Sequence, residues 1–157
     1  LAHPEYTLHI CGGSRQERDF WNYYMPKIKA CKNIYMHGFV DIESEQYAHI
    51  LSQCGILLNP SISEGGAVSV LNVLGNGALL PVYSEATGIA LSEFGVCVPD
   101  VTYNEFEKAL LGLEAMTDAE FEQRALEVHK LVKENYTIEQ YENHMYAHLK
   151  DIIDKNR

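Results

Sequence analysis

The chain has 157 residues, enough for one domain with a hydrophobic core, and a hydrophobic content of 46% indicates a globular protein. The formal net charge of −10 argues against nucleic acid as a partner, because such binding is carried by basic residues facing phosphate. No apolar run approaches the length of a membrane span, no signal peptide is visible, and the chain starts without Met, so we expect a fragment.

Strand-forming and helix-forming segments alternate through the first hundred residues. Strands are predicted at 6–11, 34–36, 56–58, 79–83 and 96–98. Helices are predicted from about Gln16, with Pro26 kinking or dividing the helix, then from Asp41 or Ser44, and again after Gly66. A helical turn is predicted at 88–93. This alternation predicts an α/β fold with a mostly parallel sheet flanked by helices, in a single domain spanning 1–157.

Beyond residue 100 the pattern indicates helices only. Three segments fit a capping box and precede apolar residues at helical spacing, starting at Thr102, Thr117 and Thr137. We therefore expect three C-terminal helices, the last running from Ile138 towards Asp154.

Cysteine and histidine spacing does not predict a metal site. The four cysteines are far apart and lack a Cys-x-x-Cys pair, which favours buried, reduced thiols in a reducing compartment. His144 and His148 lie four apart on a helix, but a third ligand is not apparent, so we interpret them as surface histidines.

The central stretch, 55–77, combines a buried strand, a polar loop and a short apolar helix. Gly65 and Gly66 would let the backbone approach a ligand, and the helix start offers unpaired N–H groups and a positive dipole end. These features together predict an anion site, and we expect the anion to be a sugar-nucleotide diphosphate. A mere turn at the glycines, or a capping box from Ser61 to Glu64, is the structural alternative.

The helix of this stretch carries one polar stripe, formed by Ser69, Asn72 and Asn76. It either lines a ligand cleft or bonds neighbouring backbone. The sequence has no Lys or Arg between Asn33 and Glu107, so side-chain cations for a diphosphate must come from elsewhere.

In order and spacing, several segments resemble the C-terminal, donor-binding domain of retaining nucleotide-sugar glycosyltransferases with two Rossmann-like domains, the B fold. The segments cover nearly the whole chain and are 8–13, 34–40, 59–65, 76–82, 95–99 and 136–141.

The resemblance implies a role for individual residues. Glu64 matches the first Glu of a Glu-x7-Glu motif, which contacts the donor sugar, and Gly65 lies beside it. The amides of Gly66, Ala67 and Val68 would hold the diphosphate, although the family usually has Gly at the position of Ala67. Asn72 replaces the second Glu, which bonds the ribose. The base would lie near Val40 and Ile42.

His37, at the end of a predicted strand, makes either a structural hydrogen bond or a donor contact.

The resemblance also implies what the parent protein does. It would transfer a sugar from a nucleoside-diphosphate sugar to an acceptor hydroxyl with retention, without a metal or other cofactor. The acceptor, a saccharide or a lipid-linked one, would bind a separate N-terminal domain. The parent would be cytoplasmic or peripheral at the inner membrane face and serve polysaccharide biosynthesis. The alternatives are a degenerate, non-catalytic nucleotide-sugar module and a B-fold epimerase.

Two family parts are absent from this sequence: the N-terminal acceptor domain, and the first strand-helix unit with its basic pair. Since the missing strand is normally central, we expect a gap that neighbouring strands close by pairing directly, or that another chain fills at the open edge to give a dimer. The fragment alone is expected to bind donor weakly and to be inactive.

Overall fold

A computed structural model describes residues 3–13, 17–63, 67–89, 91 and 93–155. The chain divides into two compact units, Leu1–Ile50 and Leu51–Arg157, and each is described by itself. The fold class is α/β, with two small parallel sheets flanked by helices, which is compatible with a Rossmann-like arrangement.

The first unit contains a two-stranded sheet. Its elements are β1 (Leu8–Cys11), α1 (Arg18–Ala30), β2 (Ile34–Gly38) and the start of α2 (Glu45–Leu51). β1 and β2 run parallel, with His9 opposite Tyr35 and a register shift between Ile10 and Cys11.

Helix α1 is continuous through Pro26, so of the two expected effects of the proline, a kink or a division, the division is wrong. None of its described residues is fully buried; the side of α1 that carries Trp21, Met25 and Ile28 is half-buried.

The second unit is built around a three-stranded sheet and the C-terminal helices. Its elements are β3 (Ile56–Asn59), α3 (Val68–Asn76), β4 (Leu80–Ser84), a 3-10 turn (Glu85–Thr87), β5 (Val96–Val98), α4 (Tyr103–Glu114), α5 (Asp118–Asn135) and α6 (Ile138–Lys155). β4 is the middle strand, parallel to both neighbours, and all five of its residues are buried. An entirely buried, apolar strand is what a parallel sheet covered on both faces requires.

The core of the second unit lies where α3, α4 and α5 cover β4. Leu74, Leu80, Val82 and Val128 are fully shielded from solvent. Helix α6 has no buried residue among those described, and its apolar side chains from Ile138 to Ile153 are exposed.

The two sheets are separate, with hydrogen-bonded orders β1–β2 and β3–β4–β5. The expected direct pairing of the strands beside the gap is therefore not found in the part of the chain that the structure describes. Pairing with another chain stays a prediction.

Most predicted elements are confirmed. Of the helical turn predicted at 88–93, residues 90 and 92 lie outside the described part of the chain and the others are not helical; a 3-10 turn lies directly before them, at Glu85–Thr87, and Gly88 ends it in the left-handed conformation. Of the two predicted starts of α2, Ser44 is confirmed, because its Oγ accepts a hydrogen bond from the Tyr47 N–H. All four cysteines are free, but Cys11 is exposed and the others are only partly buried, so the prediction of buried thiols is wrong.

Across the described residues, none of the helices is both long and apolar enough to span a membrane.

Candidate functional site

The loop after β3 is held by hydrogen bonds among small polar residues. Asn59 Oδ1 accepts from the Ser61 N–H at 3.3 Å, and Ser61 Oγ donates to the Ser63 carbonyl at 3.1 Å. The turn thus follows the strand directly, at the carboxyl edge of a parallel sheet, where α/β proteins bind ligands. The predicted sugar contact Glu64 and the glycines Gly65 and Gly66 lie outside the described residues.

Ala67 joins this loop to α3 in a left-handed conformation, with φ 44° and ψ 46°. That region costs an L-residue roughly 1–2 kcal/mol, and glycine adopts it without the penalty. The position where the resemblance expects Gly is therefore one where glycine would relieve backbone strain. Ala67 is also only 3% exposed, so its amide is not at the surface and is a poor diphosphate ligand.

The start of α3 offers amides in a more accessible place. The first hydrogen bonds of the helix run from the Val70 and Leu71 N–H groups to the Ala67 carbonyl. The preceding amides, of Val68 and Ser69, belong to the first turn, which an α-helix leaves unpaired. Val68 is 65% exposed and Ser69 is also exposed. The predicted Val68 amide thus fits an anion site, and Ser69, which the sequence reasoning did not assign, joins it.

The capping alternative at the loop does not hold for Ser61. Helix α3 begins at Val68 with Ala67 as its N-cap, six residues beyond Ser61. The Ser61 hydroxyl donates to the Ser63 carbonyl and does not accept an amide of α3. A capping box based on Ser61 is therefore wrong.

A second hydroxyl network supports the loop from β4 and was not predicted. Ser84 Oγ donates to the Ser61 carbonyl across 23 residues of sequence, and Thr87 Oγ1 donates to the Ser84 carbonyl at 3.0 Å. Both side chains are buried. Because a buried hydroxyl needs a partner, these contacts fix the end of β4 against the loop that leads to the candidate site.

The polar stripe on α3 bonds its own backbone at one end. Asn76 Nδ2 donates to the Asn72 carbonyl at 2.8 Å, which supports the backbone-bonding interpretation for Asn76. Asn72, the residue assigned to the ribose, is half-buried.

A cavity of about 470 Å³ lies beside α3 in the second unit. It contacts α3 through Leu71, one turn after Ala67. The remaining lining residues come from the α5–α6 junction: Asn135, Tyr136, Thr137, Tyr141 and His144. His144 lines this cavity and is exposed, and His148 is exposed too, so the interpretation of both as surface histidines is confirmed.

The residues assigned to the base lie in the first unit, on the loop after β2. Gly38 turns the chain with φ 71°, and the Gly12 N–H donates to its carbonyl at 2.7 Å. Val40 is buried at 9% exposure, whereas Ile42 is 46% exposed. Of the two, Ile42 is the side chain that a ligand could reach.

Burial is the main cause of the raised pKa values of two residues near the end of β4, Tyr83 and Cys97. Burial and then the Glu85 charge raise the pKa of the Cys97 thiol, which therefore stays protonated at neutral pH. Burial also raises the pKa of Tyr83 to about 12. Neither group has the lowered pKa of an activated nucleophile.

Within the described ranges, groups of three or more His, Cys, Asp or Glu side chains arranged to hold a metal ion are not found. A comparison of the chain with protein-family models and with curated proteins found no match.

Proposed function

We propose that this chain is the donor-binding part of a retaining, nucleotide-sugar-dependent glycosyltransferase of the B fold. The observation that carries the proposal is the start of α3, where the exposed residues Val68 and Ser69 form the first turn of a helix that follows a parallel strand at its carboxyl end. Backbone amides and the helix dipole favour a diphosphate there, in a segment without basic side chains. The resemblance of the sequence to the donor domain supports the choice of a sugar nucleotide.

Each residue has one role in the proposed reaction. Glu64 orients the donor sugar through its hydroxyls, and the amides at the helix start stabilise the charge that develops on the departing diphosphate. Such stabilisation of a leaving group is electrostatic and uses donors already in position. Asn72 bonds the ribose with one amide oxygen. In the first unit, the resemblance assigns Ile42 to the base. Further cations for the diphosphate come from outside the segment 34–106, which has no Lys or Arg.

A charge substitution at Ser69 tests the diphosphate site separately from folding. Ser69→Asp places a carboxylate in the first turn of α3, where the dipole stabilises the helix by roughly 0.3–1 kcal/mol. The same carboxylate repels a diphosphate by about 1 kcal/mol at 4 Å in water, which is about fivefold in affinity. The proposal therefore predicts unchanged or higher stability together with weaker binding of nucleoside diphosphates.

Calorimetric titration with UDP, GDP and ADP measures this effect, with Ser69→Asn as the uncharged control of matching size. EDTA or added Mg²⁺ should leave the affinity of the unmodified chain unchanged if the helix start replaces a cation. Equal affinity of the Asp and Asn variants would overturn the diphosphate assignment.

Sugar transfer tests the enzyme assignment. The chain alone should bind donor weakly and transfer no sugar, because the resemblance assigns the acceptor site and the basic pair to segments other than those matched here. In a longer protein that contains this chain, Glu64→Gln should abolish transfer while leaving nucleoside diphosphate affinity within about twofold, since the lost contact is to the sugar. Transfer by the isolated chain would contradict the proposal.

A non-catalytic nucleotide-sugar module is the second candidate, and Asn72 is the observation that favours it. Asn accepts with one oxygen and carries no charge, so ribose binding is weaker than with Glu. If Asn72→Glu in the longer protein restores transfer that the unmodified protein lacks, the module is the better description. The epimerase alternative additionally needs a catalytic pair of acids in another domain.

A further inference from the structure

Two histidines, one on each strand of the first unit, are in direct contact. His9 Nδ1 lies 3.0 Å from His37 Nε2. The rings are coplanar within 3° and their centroids are 5.2 Å apart. Coplanar rings with this centroid separation and such close facing nitrogens lie edge to edge, so the contact is a hydrogen bond between imidazoles and not a face-to-face stack.

This contact limits the number of protons that the pair can carry. A neutral imidazole has one donor and one acceptor nitrogen, and an imidazolium has two donors. One proton therefore lies between the facing nitrogens, and the pair keeps its bond when neutral or when one ring is charged. If both rings are charged, two N–H groups face each other at 3.0 Å and the bond is lost.

Other titratable groups surround the pair. Tyr35 on β2 lies against the His9 ring, with 5.4 Å between ring centroids. Burial lowers the pKa of His9, and the charges of His37 and of His49, on α2, lower it further. Burial raises the pKa of Cys11 on β1, and burial followed by the charge of Cys11 raises the pKa of Tyr47 on α2.

His9 lies within β1, two residues before its end, and His37 lies one residue before the end of β2, next to the loop that carries Val40 and Ile42. Gly38 follows His37 directly and is bonded to Gly12. At its other end the loop is anchored by the turn at Asp41, whose carbonyl accepts from Ser44 Oγ at 2.6 Å. The β2 end of the loop is thus fixed by the β1–β2 ladder, by the Gly12–Gly38 backbone bond and by the histidine pair.

We propose that His9 and His37 form a pH-dependent positioning pair, which links β1 to the last part of β2 and so fixes the loop 38–42 until a second proton breaks their bond. The link to nucleotide binding rests on the proposed function, because it uses the assignment of Val40 and Ile42 to the base. The positioning of the loop does not depend on that assignment.

The direction of the pH effect follows from the lowered pKa of His9. Above the ordinary value of 6.5, the ring is neutral whether the loop is fixed or released. As the pH falls below 6.5, the released state takes up protons more readily, so the fixed loop loses stability until the pKa of the fixed state is passed. One unit of difference in pKa corresponds to about a tenfold change in the equilibrium.

The test follows the amide signals of Val40 and Ile42 by NMR in the full chain between pH 7.5 and 5.0. His9→Asn removes the titrating ring of His9. It leaves an amide group near the position of Nδ1, so a neutral hydrogen bond to His37 can form. His9→Leu removes both, and His148→Asn, on exposed α6, is the matched control for loss of one histidine. The unmodified chain and His148→Asn should show a pH-dependent shift of both signals.

In His9→Asn the two signals should stay at their high-pH positions, and in His9→Leu they should resemble the low-pH spectrum at every pH. Signals that titrate equally in His9→Asn and in the unmodified chain would overturn the pair. If His9→Leu fails to fold, the comparison of His9→Asn with His148→Asn still tests whether the His9–His37 pair controls the loop.

UDP affinity at the two pH values separates this inference from the proposed function. If both are correct, UDP affinity falls from pH 7.5 to 5.0 in the unmodified chain and falls less in His9→Asn. Amide signals that titrate in a chain that does not bind UDP would support the pair and overturn the nucleotide assignment. An equal loss of affinity in both proteins would overturn the link between the pair and binding.

Discussion

Gly95, directly before β5, is the position at which the smallest change should have a large effect. A Cβ atom there would lie 2.7 Å from Pro81 Cγ and 2.8 Å from the Pro81 carbonyl oxygen. It would also lie 3.1 Å from Tyr83 Cε1. Pro81 and Tyr83 belong to the buried middle strand β4, so these atoms cannot move away without disturbing the pairing of Val82 with Val96.

The cost of Gly95→Ala can be worked from these contacts. Overpacking a well-packed interior costs typically about 1–3 kcal/mol, and the upper part of that range applies because the carbonyl and the proline ring are rigid. Loss of chain entropy in the unfolded state offsets roughly 0.5–1 kcal/mol. A net loss of about 2 kcal/mol in the free energy of unfolding is expected, which lowers Tm by roughly 8–12 °C in a unit of this size.

Gly112→Ala is the matched control. Gly112 lies in the exposed part of α4, and a Cβ atom added there would meet nothing within 4 Å. Because glycine inside a helix is less favourable than alanine, this variant should gain about 0.5–1 kcal/mol. The same methyl group in the same unit should therefore have opposite effects at the two positions.

Urea unfolding followed by circular dichroism measures both free energies, with the slope of the transition as a check that the unfolded states are comparable. If Gly95→Ala is as stable as the unmodified chain, the contact of the β5 start with β4 described above is wrong. A loss of stability in Gly112→Ala would show that the exposed setting of α4 is wrong.

Three further predictions concern the candidate site and the C-terminal helices. Ala67→Val should lower the free energy of unfolding by about 2 kcal/mol or more, since a β-branched residue cannot easily adopt φ 44° in a buried place. Ala67→Gly should change it by no more than about 1 kcal/mol, because relief of strain offsets the lost burial of the methyl group. Thermal unfolding compares the two variants. Ser84→Ala should lower stability by about 1–3 kcal/mol by leaving the Ser61 carbonyl unpaired, whereas Ser69→Ala should be nearly neutral in the same urea assay. Thr117→Ala should reduce the acid sensitivity of stability. The bonds from the Thr117 backbone and side chain lower the pKa of Glu120. Alanine removes the side-chain bond, whose contribution is present above the ordinary value of 4.5 and is lost as the pH falls below it. Equal losses of stability between pH 7 and pH 3 in the two proteins would contradict this prediction.

The elements that the sequence predicted accurately are those that depend on interactions between residues close together in the chain. β5 was predicted with its observed ends, and α6 within one residue, because apolar spacing and a Thr cap are properties of neighbouring residues. The full capping box at Thr117 is confirmed for the same reason.

The features that sequence reasoning missed depend on residues far apart in the chain. Ser84 bonds a carbonyl 23 residues away, and His9 meets His37 across 28 residues. Both contacts require the parallel register of two strands, which single-sequence patterns do not specify. The burial of Ala67 likewise results from packing of α3 in the core, and its left-handed backbone gives no compositional signal when the residue is alanine.

The two-stranded sheet of the first unit has a consequence for how the chain opens in solution. An isolated pair of strands is marginally stable in water, and α1 adds no fully buried side chain to it. The backbone amide hydrogens of Ile10 and Met36 should therefore exchange with deuterium much faster than that of Val82 in the buried middle strand. Nucleotide contacts in the first unit would consequently be formed on a segment that ligand binding itself helps to order, so slow exchange there would become a direct sign of occupancy.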